Sequence, residues 1–530
     1  MDALSIVDLN TSIAVSANVT DNVGVQKAKL FYREGGKAVF DSTDMSLNQS
    51  LYRATIPSAF AGTRGIEFKV QAADGAKNQT TTPRQSVRIR LPDKHLSKAQ
   101  AGGSAENAYR LISVPVENNN PDIAAILLDD LGAADTTKWR VWDINPQTAE
   151  TDFPYREYPA VGPLLAGKSI FLITKENKTL TSGAGATVIT TEPFNIDLKP
   201  GWNMIASPFN FDIPIQNVKP DSLRDDLYAY NGAFVPFPNF LKPWEGYMIK
   251  VKAPVTLTIQ PSEIPQSTIT KLVVSGAEPP DWFIRVQVTC ERASDIDNII
   301  GVVADAAIEW DRHERFEPPP IGKYVMVSFP HRDWQRYPDV YTTDFRPPSS
   351  DGHVWDFAVS SNISGKPVTL RFDNLESLPP EYEIKLVDLS LKLTQDLRRE
   401  AQYVFRSNSS ESKKTFRLLI GKTDFIAERS ASVTAAPATY ELVPNFPNPF
   451  NPSTSIKFGL PEKSLVSLRI YNLLGKEVAT LFDDVEKEAG YHVSIWEGKD
   501  RQGNAMPSGI YIYRLQAGQL VLTKKMTLIK

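Results

Sequence analysis

One cysteine, five histidines and no long apolar run set the first limits on this chain. Cys290 is the only thiol in 530 residues. No intramolecular disulfide can form, and no thiolate cluster can hold zinc. Cys290 closes the alternating run Phe283-Ile284-Arg285-Val286-Gln287-Val288-Thr289-Cys290, the setting of a small buried hydrophobe rather than a nucleophile. His95, His313, His331, His353 and His492 show no His-Glu-x-x-His or other two-ligand helical spacing, so a catalytic zinc site lacks its signature. No apolar stretch is long enough to cross a bilayer as a helix, and no integral membrane segment is expected. Net charge is −4 without a basic run, which argues against nucleic acid or an anionic membrane as partner. Met1-Asp2-Ala3-Leu4-Ser5 carries an acid where a signal peptide needs positive charge, and no apolar core follows.

What the chain does have is proline, 39 residues against 29 glycines, which favours short strands and fixed turns over long helices. The length suggests three or four domains. The expected fold class is all-β: tandem antiparallel β-sandwich (Ig-like) domains with few short helices. Residues 1–92 read as one sandwich, with Ile13, Val15, Ala17 and Val19 on one face of a strand, then Ala28, Leu30 and Tyr32, then Phe68, Val70 and Ala72, then Val87 and Ile89. Residues 93–107, with Ala101-Gly102-Gly103-Ser104, read as a linker.

Residues 108–265 hold an internal repeat. Tyr109 to Pro115, Trp139 to Asp143 and Gly167 to Ile173 are answered by Gly201 to Pro208, Leu227 to Asn231 and Glu245 to Lys250. Pro121 with Ile123, Ile126, Leu127 and Leu131 predicts one short helix in the first copy. Residues 266–425 read as a further sandwich punctuated by Pro318-Pro319-Pro320, Pro347-Pro348 and Pro379-Pro380. Residues 426–440 read as a second linker. Residues 441–530 form a last small sandwich, with Trp496 as anchor.

Candidate chemistry is sparse. Gly162-x-x-x-x-Gly167-Lys168-Ser169 matches a phosphate-loop pattern. A phosphate loop must open a helix, however, and Ile170-Phe171-Leu172-Ile173 reads as a strand, so the match is a turn before a strand. Asp295, Asp297, Asn298, Asp305 and Asp311, and separately Asp21, Asn22 and Asp74, carry the oxygen ligands calcium prefers. Solvated turns are the favoured reading, and no cofactor is assigned. Trp139, Trp142, Tyr228, Tyr230, Phe234, Phe237, Phe240 and Trp244 could stack on a glycan, but their alternation with aliphatics favours core packing. The Pro- and Phe-rich stretch Asn231 to Pro243 is the first choice for a surface that meets a glycan or protein ligand. No catalytic residue is assigned, and the chain is read as not an enzyme.

One block is specific: Pro447-Asn448-Pro449-Phe450-Asn451-Pro452, Tyr471-Asn472-Leu473-Leu474-Gly475, and Ser508-Gly509-Ile510-Tyr511-Ile512-Tyr513-Arg514-Leu515. It resembles the type A C-terminal sorting domain of cargo of the Bacteroidetes-type type IX secretion system. The matching positions are Pro447, Asn448, Pro449, Phe450, Asn451, Pro452, Gly475, Gly509, Tyr511, Tyr513, Arg514, Leu515, Lys524, Lys525 and Met526. The resemblance implies an antiparallel sandwich, the type IX outer-membrane machinery as partner, and a secreted or cell-surface destination. Thr20 to Val25, Tyr52 to Pro57 and Ala72 to Gly75 resemble bacterial Ig-like or fibronectin-like modules, in which a strand usually precedes Ile13. That strand and a signal peptide are not visible, and an N-terminally truncated first sandwich is the expectation. The function implied is a non-catalytic β-modular region carrying an export signal. The alternative is the accessory tail of a secreted hydrolase, such as a subtilisin-like protease, whose catalytic domain lies upstream.

Overall fold

A computed structural model of the chain describes residues 6–22, 24–103, 108–145, 154–224, 226–230, 232, 234–236, 238–262, 280–407, 413–431 and 437–529. Asn231 and Phe237, and residues 104–107 and 432–436 of the two expected linkers, lie outside the described residues. The described residues are strands and loops with two α-helices, an all-β fold. They divide into two compact units: residues 1–278 with 292–294 and 315–324, and residues 279–291 with 295–314 and 325–530.

The first unit opens with a sandwich. Ile13–Ala17 pairs with Leu51–Ile56, which pairs with Ser46–Asn48. The facing sheet runs through Asp41–Asp44, Val25–Glu34, Ile66–Asp74 and Gln85–Leu91. Alternation puts Ile13, Val15, Leu30, Phe68, Val70, Val87 and Ile89 into one core. The preceding strand expected to be missing is present: Ile6–Asp8 pairs in parallel with Arg88 to Arg90. Its three residues are too few to show an alternating pattern, which hid it from sequence reading.

The stretch 93–107 is not a plain linker. Ser97–Gln100 pairs with Lys178–Thr181. Gly102, read as a flexible joint, sits where the backbone presses against Glu176, inside the reach of any side chain. Glycine serves close approach here rather than freedom.

Two copies of one small β unit follow. In the first, the sheet order is Arg110–Ile112, Ile170–Thr174, Trp139–Ile144, Tyr155–Glu157. In the second it is Gly201–Ala206, Gly246–Val251, Leu227–Tyr230, Phe234–Pro236, the same order of descent. Each copy also has a flanking pair: Ser97–Gln100 with Lys178–Thr181, and Phe194–Leu198 with Val255–Ile259. The first copy therefore begins inside the stretch read as a linker. The expected helix is Ile123–Leu131, capped by the Asp122 carboxylate, which accepts from Ala124 N at 2.7 Å.

The copies meet about a pseudo-two-fold. Ile112 bridges Glu245 while Ile205 bridges Lys168. Ser113 N donates to Trp244 O, and Ala206 N donates to Gly167 O. This sets the register: Ser169 matches Gly246, and Gly167 matches Trp244. Both Gly167 (φ +82°) and Trp244 (φ +67°) hold left-handed backbone, as equivalent positions should. Matching Gly167 to Gly246 by residue type would be two residues out of this register. The glycine of the first copy marks the turn, and that of the second marks the axis. At the axis a Cβ on Gly246 would clash with Ser169 Cβ and lie 2.7 Å from Leu111 Cγ. Ser169 leads into the strand Ile170–Thr174, not a helix, so the phosphate-loop match has no helix terminus to offer.

The second unit holds a two-sheet sandwich and the C-terminal region. One sheet runs Thr343–Arg346, Ala293–Val302, Trp282–Cys290, Pro367–Asp373, Gln402–Arg406. The other runs Asp339–Tyr341, Val325–His331, Gly352–Ser361, Lys413–Gly421, Glu383–Asp388, Leu393–Asp396. Ile284, Val286, Val288 and Cys290 alternate inward, and burial pushes the Cys290 thiol up, away from thiolate chemistry. The second expected linker begins as helix Thr423–Ala431, whose Ile426 is buried with Val387 and Leu419. Phe425 packs beside it, and the small and polar residues that follow masked this apolar anchor.

Gly246→Ala should destabilise the first unit by about 1–3 kcal/mol, the usual cost of an added methyl in a filled site. Pairing it with Ser169→Gly should recover part of that loss. Urea denaturation of the three variants checks both.

Candidate functional site

The sorting-motif residues fall in a small sandwich. Glu441–Leu442, Thr454–Leu460 and Gly490–Trp496 make one sheet. Glu477–Lys487, Ser464–Asn472, Gly509–Ala517 and Leu520–Leu528 make the other. Val466, Leu468, Ile470, Tyr511, Tyr513 and Leu515 alternate inward and surround Trp496.

Within Pro447 to Pro452 only Phe450 is buried, at 1% exposure, while Pro447, Asn448, Pro449, Asn451 and Pro452 stand in solvent. The bonds preceding Pro447, Pro449 and Pro452 are cis. Phe450 is stitched to the final strand: its N–H donates to Thr527 O at 3.0 Å, and Ile529 N–H donates to its carbonyl at 2.9 Å. The Phe450 ring lies 5.6 Å from Trp496, whose ring lies 5.1 Å from Tyr511. Asn448 Oδ1 accepts from Thr527 N at 2.9 Å.

The other end of the motif is held by Asn445 and Thr454, which sequence reading did not single out. Asn445 Nδ2 donates to Thr454 Oγ1 at 2.9 Å, and Thr454 Oγ1 donates to Pro447 O at 2.8 Å. Tyr513 accepts from Asn445 N at 2.8 Å and donates to Val443 O at 2.9 Å. Burial pushes that phenol up to about 12, so it stays protonated and able to donate. At the Pro447 end a backbone short of N–H groups, because it is rich in proline, is held through a carbonyl, whereas Phe450 uses both its N–H and its carbonyl.

The remaining motif positions sort by burial. Tyr511, Tyr513, Leu515 and Met526 are core. Gly475 turns at φ +76°, beside Asn472, whose Oδ1 accepts from Leu474 N and Lys476 N, each at 3.0 Å. Gly509 opens its strand. Arg514, Lys524 and Lys525 are exposed, and cross-strand pairing sets Lys525 opposite Ile512. The exposed prolines and cations, not the buried aromatics, are therefore what another molecule can touch.

The acidic candidates are scattered. Asp21 accepts from Gly24 N. Asp74 accepts from Ala76 N, Asn78 N and Asn78 Nδ2. Asp305 is held by Arg312 and His313, and Asp311 by Ala307 N and His313 N. Asp295 accepts from Val327 N, and burial pushes it up to about 6. Among the described residues no group of three His, Cys, Asp or Glu is placed to hold a metal ion. The aromatic candidates Trp139, Trp142, Tyr228 and Trp244 are buried, and Tyr230, Phe234 and Phe240 are half-buried.

A polar centre escaped sequence reading because its members follow no motif spacing. His331 Nε2 lies 2.7 Å from Asp344 Oδ2, and Arg346 donates to both oxygens of that buried carboxylate. His331 stacks on Trp334 at 3.8 Å. Nearby Glu314 accepts from Asp311 N and Phe345 N, yet burial, with Asp311 and Asp344 beside it, pushes its carboxyl up to about 9. Both Asp344 oxygens are engaged, which suits a structural clamp better than a nucleophile.

The sequence profile of the secretion system C-terminal sorting domain matches residues 445–530. Those residues are such a domain, and they address the chain across the outer membrane to the cell surface or the medium. No curated protein is similar enough to count as a relative. Among solved structures, latent PorU from Porphyromonas gingivalis is 10% identical over 99% of this chain and 32% of its own length, with a TM-score of 0.16. The chain thus spans about a third of PorU. PorZ, a surface component of the type-IX secretion system of the same bacterium, is 8% identical over 94% of this chain and 99% of its own length, with a TM-score of 0.16. A tetra-tandem repeat from the extending region of a large adhesion protein is 7% identical over 99% of this chain and 98% of its own length, with a TM-score of 0.16.

Glu314 is a carboxyl whose folded pKa lies above its unfolded value. Its contribution is fully present below pH 4.5 and is lost as pH rises toward about 9. Glu314→Gln should therefore flatten the fall in melting temperature between pH 7 and pH 9, read by calorimetry of both chains.

Proposed function

We propose that the residues ahead of the sorting domain are the non-catalytic, β-modular cargo of a secreted or surface protein, serving as spacer or adhesive surface. The observation that carries this reading is the sorting domain itself, matched at 445–530 and folded around Phe450. Its partner in this reading is the type IX outer-membrane machinery, met through the exposed prolines 447, 449 and 452 and the cations Arg514, Lys524 and Lys525. The commitments of the upstream side chains support the cargo role. The candidate acids Asp74, Asp295 and Asp311 accept from backbone N–H groups, and Asp305 pairs with Arg312 and His313. The aromatic positions expected to be core or glycan-binding are largely packed.

The purified chain should release nothing from labelled casein or from a panel of glycans. Turnover that co-purifies with the chain and survives exchange of the expression host would overturn the non-catalytic reading.

A further inference from the structure

Residues 315–324 belong to the first unit, although their neighbours in sequence belong to the second. The segment contains Glu317-Pro318-Pro319-Pro320. Proline fixes its own φ, and each residue before a proline is driven to extended backbone. Such a run adopts the left-handed helix of three residues per turn, so positions three apart face the same way. Prolines also lack N–H groups, so the run cannot be held by a β-ladder and needs donors aimed at its carbonyls.

Two tyrosines supply them, one turn of that helix apart. Tyr228 Oη donates to Phe316 O at 2.8 Å, and Tyr155 Oη donates to Pro319 O at 2.8 Å. Tyr155 lies on strand Tyr155–Glu157 of the first copy, and Tyr228 on Leu227–Tyr230 of the second. Both are buried, as are Phe316, Pro318, Pro319 and Ile321. Burial pushes the Tyr155 phenol up, which keeps its proton in place. The ammonium groups of Lys250 and Lys252 lie 4.8 and 4.9 Å from the centre of the Phe316 ring. Gly322, at φ +72°, then turns the chain across Tyr109, where a Cβ would come within 2.7 Å of the ring.

We propose that the aromatic face shared by the two copies is a binding site for an extended proline-rich peptide, and that residues 316–321 of the chain occupy it. The chemistry recognised is a bulky apolar residue followed, three positions on, by a proline carbonyl on the same face of the helix. That is how aromatic-lined grooves hold preformed proline-rich ligands. Neither copy alone carries both tyrosines, so duplication creates the site.

The test uses the full chain. Tyr155→Phe with Tyr228→Phe keeps both rings and removes both donors. Amide hydrogen exchange at Ile321, Gly322 and Lys323 should accelerate about tenfold or more for the loss of two such bonds; unchanged exchange overturns the proposal. In a second arm, Phe316→Ser with Pro319→Ser vacates the face. A fluorescein-labelled peptide of residues 315–324 should then bind saturably by anisotropy, and the two Tyr→Phe changes should weaken it about tenfold. Absence of binding, or binding indifferent to the tyrosines, overturns it.

Discussion

The first unit depends on the contact at which Ser169 meets Gly246. Each copy of the repeat is a small four-stranded sheet, the first sharing its core with the opening sandwich and the second gathering one of its own. Crossed bridges, Ile112 to Glu245 and Ile205 to Lys168, close one copy against the other. Equivalent aromatic pairs, Tyr109 with Trp142 and Trp202 with Tyr228, then lie on a common side. Two side chains cannot occupy the axis at once, so the symmetry has to break there. The break is one glycine.

Everything built on that face inherits the pairing. Tyr155 and Tyr228 come from different copies, and their hydroxyls donate to carbonyls three residues apart, Pro319 and Phe316. The C-terminal sandwich solves a related problem alone. Its proline-rich opening has few N–H groups to offer a sheet, and a single buried ring, Phe450, together with the Tyr513 hydroxyl, fastens it. Burying the phenylalanine leaves the flanking prolines exposed, which separates the residues that fold the domain from those that can be read by a partner.

Alternation made most of this legible in advance. Ile284, Val286, Val288 and Cys290, and Tyr511, Tyr513 and Leu515, point where a period of two predicts. The sorting motif was legible because it falls in short contiguous blocks. What stayed hidden was non-local. The contact of His331 with Asp344 and that of Phe316 with Tyr228 join residues with no shared pattern. Gly102 and the helix Thr423–Ala431 misled in another way, since small residues signal close approach as well as flexibility.

The central claim is that the last sandwich carries the address. The most direct measurement expresses the full chain, behind an inner-membrane export leader, in a bacterium with a type IX system. The fraction outside the outer membrane is then compared with that of a chain lacking residues 445–530. The account predicts that the intact chain reaches the surface or medium and that the shortened one stays in the periplasm. Equal export of both would contradict it.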